Sequence, residues 1–428
     1  MYFSIIVGGN SYNGVIEVIL NRRPIRLLDV KKIRRNFQIL DSGVIYLDNA
    51  ASSLTPEPVI QKMLEFYHNY RANVERGIHR FSQRASEEYE KAHATVADFI
   101  NAGSETEVVF TRNATEAINL VANGLNWKKG DKIVTSIIEH HSNFIVWLRL
   151  KKRYGVNVEI VKPNREGLFD IADFEKAIDD KTRLVTLTHV SNVLGVKTPV
   201  EEVAKIAHGH DAHLLVDGAQ SVPHLKVNVQ KIGCDYLAFS GHKMLGPTGV
   251  GVLYARKELL DNLEPLSIGG GTIADVGLDY YTLSESPMRF EAGTPAIAEA
   301  IGLGAAVDYL KEVQLENIEV HERELVKRMY QGLADIPSVE VYGPQKIEQR
   351  TGIVSFNVAD LNPHDVALAL DVSADIMVRS GHHCCIPLNK ELLKRHEGTV
   401  RASLYLYNTE AEVEKLISTI DEIARSLA

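Results

Sequence analysis

Cysteine is nearly absent from this chain. Three thiols in 428 residues cannot build a disulfide framework, which points to a reducing compartment. Long apolar runs are missing too: no stretch of about eighteen apolar residues occurs, so no ordinary membrane-spanning helix is expected. The opening MYFSIIVGGNSYNGVIEVIL has no basic start, and Gly8, Gly9, Asn10 and Asn13 interrupt it too early for an export signal. Basic charge is not in excess. A net charge of −9 repels nucleic acid and anionic membranes rather than collecting them. Repeats and low-complexity tracts are also lacking. What remains is ordinary: 45% hydrophobic and 24% charged residues describe a globular protein with a large core. The expectation is a cytoplasmic chain with no nucleic-acid or membrane partner.

From Val108 to Leu253 short apolar runs alternate with amphipathic stretches. The runs are EVVFT (107–111), KIVTSI (132–137), VNVEIV (156–161), RLVTLTHV (183–190), HLLVDGA (213–219), YLAFSG (236–241) and GVGVLYA (249–255). Most are continuously apolar, as in strands covered on both faces. The intervening segments TEAINLVANGL, DIADFEKAI and VEEVAKIAHGH carry helical spacing, so the order is that of an α/β, mostly parallel, doubly wound sheet. Helices are expected over 56–70, opened by Thr55 and Pro56, and over 85–100. A long polar helix over about 306–334 begins a smaller α+β unit with VEVYG, GIVSFNV, a helix from His364, RASLYLY and a closing helix from Glu410. The predicted organisation is an extension over 1–27 without assigned function, a large domain over 28–305 and a small domain over 306–428, with 28–45 packing on the small one.

The strand endings carry the chemistry. EHHSN follows KIVTSI, SNVLG follows RLVTLTHV, DGAQS follows HLLV, and SGHK follows YLAF. Carboxyl ends of strands form the ligand crevice of open α/β sheets, so His140, Asn192, Asp217, Gln220, Ser240, His242 and Lys243 are expected on one rim. Each cluster alone is ordinary turn chemistry; four together on one side are not. A lysine after Ser and His, with an aspartate one βα unit upstream, suits pyridoxal phosphate. The lysine forms a Schiff base, and the aspartate keeps the ring nitrogen protonated so that the ring accepts electrons. Ser240, His242 and the amides opening the helix in TRNATEAIN can receive the phosphate.

YLDNAAS, SNVLG, VDGAQ, SGHK with GPTGVG, RFEAGTP, RSGHHC and RASLYLYN together resemble the class V aminotransferase family, and within it the group II cysteine desulfurases. The resemblance runs from about Leu28 to the C-terminus. It implies the type I fold of pyridoxal phosphate enzymes with a seven-stranded sheet, and a homodimer. It implies conversion of L-cysteine to L-alanine, with sulfur passed to an acceptor protein that feeds iron–sulfur cluster assembly or other sulfur-using pathways. By position, Lys243 holds the cofactor, Asp217 pairs with the ring nitrogen, Gln220 meets the ring hydroxyl and His140 stacks on the ring and moves protons. Ser240, His242, Ala114 and Thr115 bind the phosphate, and Thr294 reaches it from the other subunit. Asn192 lies by cofactor and substrate, Arg401 grips the substrate carboxylate with Arg379 close by, and Cys384 is the nucleophile. Selenocysteine lysis, or another lyase or aminotransferase reaction of the same family, uses related machinery.

The stretch VRSGHHCCIPL (378–388) is open to several readings on its own residues. Adjacent ligands do not wrap a tetrahedral ion easily, so no metal is expected. A disulfide between Cys384 and Cys385 would be strained. Inert burial suits Cys234, which leads into YLAF, but not Cys384, which sits in a polar loop with Arg379. Packing is the expectation for Cys385. Two positions depart from the family pattern: Glu75 of ANVERGIH stands where histidine is usual, and RNATEAIN replaces RGTTEGIN. Asn113 tolerates a left-handed backbone better than most residues, so the turn can survive the change, and Ala114 removes one hydroxyl, leaving Thr115 and amides for the anion.

Overall fold

The structure, a computed structural model, describes residues 28–426; the extension over 1–27 lies outside the described residues. Helix Val30–Arg34 leads to a two-residue strand, β1 (Ile45–Tyr46). The seven apolar runs become the central sheet: β2 (Val108–Thr111), β3 (Lys132–Ser136), β4 (Asn157–Val161), β5 (Thr182–Thr188), β6 (His213–Asp217), β7 (Tyr236–Ser240) and β8 (Gly251–Ala255). Their order is β2-β8-β7-β6-β5-β3-β4. Only β8 runs against the rest, antiparallel to both β2 and β7.

Continuous hydrophobicity in the inner strands is explained by helices on both faces. One apolar cluster joins Phe239 and Val216 to Val96, Val200 and Leu303; the other joins Leu253 and Leu215 to Ile118 and Trp147. The sheet is therefore buried on two sides, as parallel strands require. The strand β4 is an edge and is mostly exposed. A hairpin, β9 (Ile273–Val276) with β10 (Tyr281–Leu283), projects after the sheet.

Helix Ile297–Val313 packs with the first of these clusters and spans residue 305. The single helix expected over 306–334 is in fact two. Gln314 adopts a left-handed φ of 72° and separates Ile297–Val313 from Leu315–Ala334, a break that no proline or glycine announces. Helix Glu57–Glu65 has Pro56 rather than Thr55 at its N-cap, since Thr55 Oγ1 donates to the Gly246 carbonyl instead.

A second, four-stranded antiparallel sheet uses β11 (Val339–Val341), β12 (Ile353–Val358), β14 (Arg379–Gly381) and β15 (Thr399–Ser403) in the order β11-β12-β15-β14. Its core takes in helices Leu315–Ala334, Pro363–Ala374 and Glu410–Ser426. The N-terminal segment is shared between the layers. Ile33, Phe37 and Leu40 pack in the first cluster of the large sheet, while β1 pairs in parallel with β13 (Ile376–Met377) and Leu47 belongs to the small-sheet cluster. The expected packing of 28–45 on the small unit therefore reaches that unit's sheet only at its end. Arg34 pairs with Glu412 at 2.7 Å. The chain just after β1 thereby runs between the two sheets and carries Asp48 to their junction.

Candidate active site

A cavity of about 470 Å³ opens where the carboxyl ends of β5, β6 and β7 and the turn after β3 meet the second sheet. Lys243 closes a tight turn directly after β7. Its amine makes no hydrogen bond among the described residues, and burial lowers its pKa from the usual lysine value, with Asp217 opposing the shift. Asp217 ends β6 and is almost wholly buried; Ala219 N–H donates to it at 3.0 Å. Burial raises its pKa against the pull of that amide and of Lys243. Gln220 donates to the Ala50 carbonyl at 2.6 Å, which leaves its Oε1 buried with no partner. An orphaned buried acceptor of this kind is costly unless a ligand satisfies it.

Helix Ala114–Gly124 starts at the edge of the cavity. Asn113 is extended there, not left-handed, and its side chain caps the helix by accepting from Glu116 N–H at 3.0 Å. The residue serves as an N-cap, so the turn needs no unusual backbone. A Cβ at Gly251 would lie 2.5 Å from Asn113 Cα; glycine lets β8 approach the helix start. Ala114 N–H donates to Ser240 Oγ at 2.9 Å, and Thr115 Oγ1 meets Ser142 Oγ at 2.6 Å. His242 Nδ1 lies 3.3 Å from Ser52 Oγ. The hydroxyls of Ser240, Thr115 and Ser142 and the start of this helix thus gather on one side of the cavity, a setting suited to an anion.

His140 Nδ1 accepts from Ser142 N–H at 3.1 Å. Burial first, then the neighbouring Lys243, hold its pKa down to about 3, and the same two causes hold His242 down to about 4. Both rings are neutral near pH 7.

Across the cavity, β15 delivers Arg401, one of the largest fully buried side chains. Its guanidinium donates to the Asn192 carbonyl at 2.9 Å and to Asp48 at 3.2 Å, and its Nε is buried without a partner. Burial lowers its pKa to about 10, so it stays charged. Arg379, half exposed on β14, holds the other side of Asp48 at 2.8 Å. Asn192 Nδ2 donates to the His383 carbonyl at 2.7 Å. Cys384 is exposed in the same cavity, in a left-handed conformation with φ 55° that follows His383 at φ 50°.

Twelve of the thirteen residues expected at the site line this one cavity. Thr294 does not; it lines a separate cleft of about 710 Å³ with Tyr89 and Glu291. The four side chains of HHCC diverge: His382 bonds the His396 carbonyl, His383 bonds Thr399, and Cys385 is buried with its thiol toward the Glu139 carbonyl at 3.1 Å. Cys234 is buried, and burial pushes its thiol pKa up. Glu75 lies at φ 73°, outside the cavity, and partial desolvation of its carboxyl, then the neighbouring Glu291, raise its pKa.

Sequence reasoning missed three contributors. Asp48 follows an apolar run in IYLD, the very signal used for the other strand ends. Glu139 is fully buried and accepts from Ser136, Asn143 and the Thr188 amide, bracing the turn that carries His140; burial raises its pKa to about 8. His383 keeps a buried, unpartnered Nδ1, and burial holds its pKa well below the usual value.

The class-V aminotransferase family profile matches residues 45–416. A probable cysteine desulfurase of Pyrococcus abyssi is 51% identical over 391 residues, 91% of this chain and 96% of its own. The apo structure of a cysteine desulfurase from Thermococcus onnurineus superposes with a TM-score of 0.90 at 49% identity, covering 95% of this chain and all of that one. The Escherichia coli cysteine desulfurase CsdA, in an S-sulfonic acid form, gives 0.87 at 33% identity over 94% of this chain and all of its own.

Proposed function

The chain belongs to the class-V aminotransferase family and is a pyridoxal-phosphate-dependent cysteine desulfurase; from that premise we propose how its residues share the conversion of L-cysteine to L-alanine. The fold is that of the type I pyridoxal phosphate enzymes. One observation carries the residue assignment: a single cavity is lined at once by Lys243, Arg401 and Cys384.

The residues fit the cofactor. The orphaned Gln220 Oε1 suits a ring hydroxyl, the buried Asp217 suits a protonated ring nitrogen, and Ser240, His242, Thr115 and the Ala114 turn suit a phosphate. Bound pyridoxal phosphate supplies an aldehyde that captures amines and a ring that accepts electrons.

Lys243 Nζ, with a lowered pKa, anchors the cofactor at rest and, once freed, takes the proton from the substrate Cα. Asp217 keeps positive charge at the ring nitrogen. His140 stays neutral and walls the pocket, and with Nδ1 engaged by Ser142 it has Nε2 for proton transfer. Arg401 grips the substrate carboxylate as a fork, with Arg379 and Asn192 beside it and Asp48 orienting both guanidinium groups. That grip fixes which Cα bond is broken. Cys384 gives up its thiol proton and its Sγ attacks the substrate sulfur. The Cβ–Sγ bond breaks with its electron pair left on the carbon side, Cβ takes up a proton in place of the one released, and the sulfur stays on Cys384 as a persulfide. Lys243 returns a proton and L-alanine leaves.

Thr294 serves the phosphate of a second copy in a homodimer; within its own chain it lines another cleft. The sulfur passes to an acceptor protein supplying iron–sulfur cluster assembly or other sulfur-using pathways in the cytoplasm. Among the described residues no helix is long and apolar enough to cross a membrane. Cys384→Ala tests the assignment: it should keep the cofactor and bind L-cysteine yet form little alanine. Undiminished alanine formation overturns the nucleophile assignment.

A further inference from the structure

The segment that carries Cys384 is tied to the turn after β3 at three consecutive residues. The Cys384 carbonyl accepts from His141 N–H at 2.7 Å. Ile386 N–H donates to His141 Nε2 at 3.1 Å. Between them, Cys385 Sγ donates to the Glu139 carbonyl at 3.1 Å. The turn that receives these bonds also carries His140, a wall of the cavity.

Two successive residues without a glycine, His383 and Cys384, are left-handed here. Such a backbone persists only where its surroundings over-determine it. Cys385 follows directly and is wholly buried among Ile137, Ile138, Val193 and Leu388, whereas Cys384 is exposed. Burial pushes the Cys385 thiol pKa up, so it keeps its proton and remains a donor rather than a second nucleophile. Its own carbonyl is held by Asn389 Nδ2 at 2.9 Å.

We propose that Cys385 is a positioning residue of the desulfurase reaction. Its thiol hydrogen bond to the Glu139 carbonyl locks the left-handed turn that presents Cys384 Sγ to the cavity. The proposal rests on Cys384 being the sulfur-accepting thiol. It separates hydrogen bonding from volume, because packing alone would need an apolar side chain of this size and no donor.

The test is steady-state alanine formation by the holoenzymes of Cys385→Val, Cys385→Ser and Cys385→Ala. Valine is somewhat larger than cysteine and has no donor; serine and alanine are close in volume and differ in the donor, so their comparison isolates the hydrogen bond. Valine and alanine variants should lose about three- to tenfold in kcat, the scale of one buried hydrogen bond, with KM for L-cysteine within about twofold, and serine should restore most of the loss. Alkylation of Cys384 by iodoacetamide in the resting enzymes should change in rate for valine and alanine and not for serine. Wild-type kcat in the valine variant, or in the alanine variant should valine not fold, overturns the proposal, as does a serine variant as impaired as alanine. Cys384→Ala run alongside keeps the two claims apart: full turnover there removes the premise, whatever the Cys385 variants do.

Discussion

Arg401→Lys isolates what the buried guanidinium contributes. Lysine keeps the positive charge, so Asp48 is not stranded, and Arg379 still holds that carboxylate at 2.8 Å. What is lost is the planar fork: one arm on the Asn192 carbonyl at 2.9 Å, one on Asp48 at 3.2 Å, and the unpartnered Nε. An ammonium cannot meet a carboxylate with two parallel bonds. A hydrogen bond to a charged group contributes about 1.5–3 kcal/mol, which is roughly a tenfold to 150-fold loss in kcat/KM for L-cysteine. The assay is alanine formation over a range of L-cysteine, run in parallel with ethylamine formation from cysteamine, the same thiol and amine without the carboxylate. The wild-type preference for L-cysteine over cysteamine should shrink in the variant by the factor lost on L-cysteine, while the bound cofactor's absorbance stays unchanged. A variant that discriminates as well as the wild type would show that Arg401 does not bind the carboxylate.

Gln220→Ala removes the orphaned acceptor. It should shift the cofactor's absorption band and speed its loss on dialysis; an unchanged spectrum and retention would contradict the ring-hydroxyl assignment. Stability should fall in acid because His140 and His242 titrate at about 3 and about 4 in the folded state, against about 6.5 unfolded. Between those limits the unfolded chain binds more protons, so melting temperature should drop as pH falls from about 6.5 toward 4. Glu139 acts in the opposite sense. Its folded pKa of about 8 lies above the unfolded value of about 4.3, so its contribution is complete below the unfolded value and lost as pH rises through 8. Glu139→Gln, which keeps the shape without the ionisation, should remove a decline in melting temperature between about pH 4.3 and 8; an unaltered slope in that window would rule out that source.

Much of this arrangement was legible in the chain itself. Apolar runs marked all seven central strands, continuous in most because the inner strands are covered on both faces, and the residues ending the inner runs had nowhere to go but the crevice. The antiparallel direction of β8 was not legible, since GVGVLYA is as apolar as its parallel neighbours and direction is set by the connection, not by burial. Gln314 broke a helix without a proline or glycine, through a left-handed backbone that propensity does not reveal. Asn113 shows the reverse error. The residue type suggests backbone tolerance, whereas its side chain caps the helix. Asp48 went unassigned because its partner Arg401 lies 353 residues away, and Glu139 because its local partners Ser136 and Asn143 read as turn residues while the Thr188 amide lies 49 residues on. Long-range pairs of this kind become visible only once the sheets are assembled.

The central claim is that the Lys243 amine and the Cys384 thiol act on one substrate in one cavity. Peptide mass spectrometry of the holoenzyme after a brief exposure to L-cysteine tests it most directly, with Lys243→Ala treated in parallel. One additional sulfur atom should appear on Cys384, not on Cys234 or Cys385, and none should appear in the lysine variant. Sulfur on another cysteine, or loading of Cys384 that persists without Lys243, would contradict it.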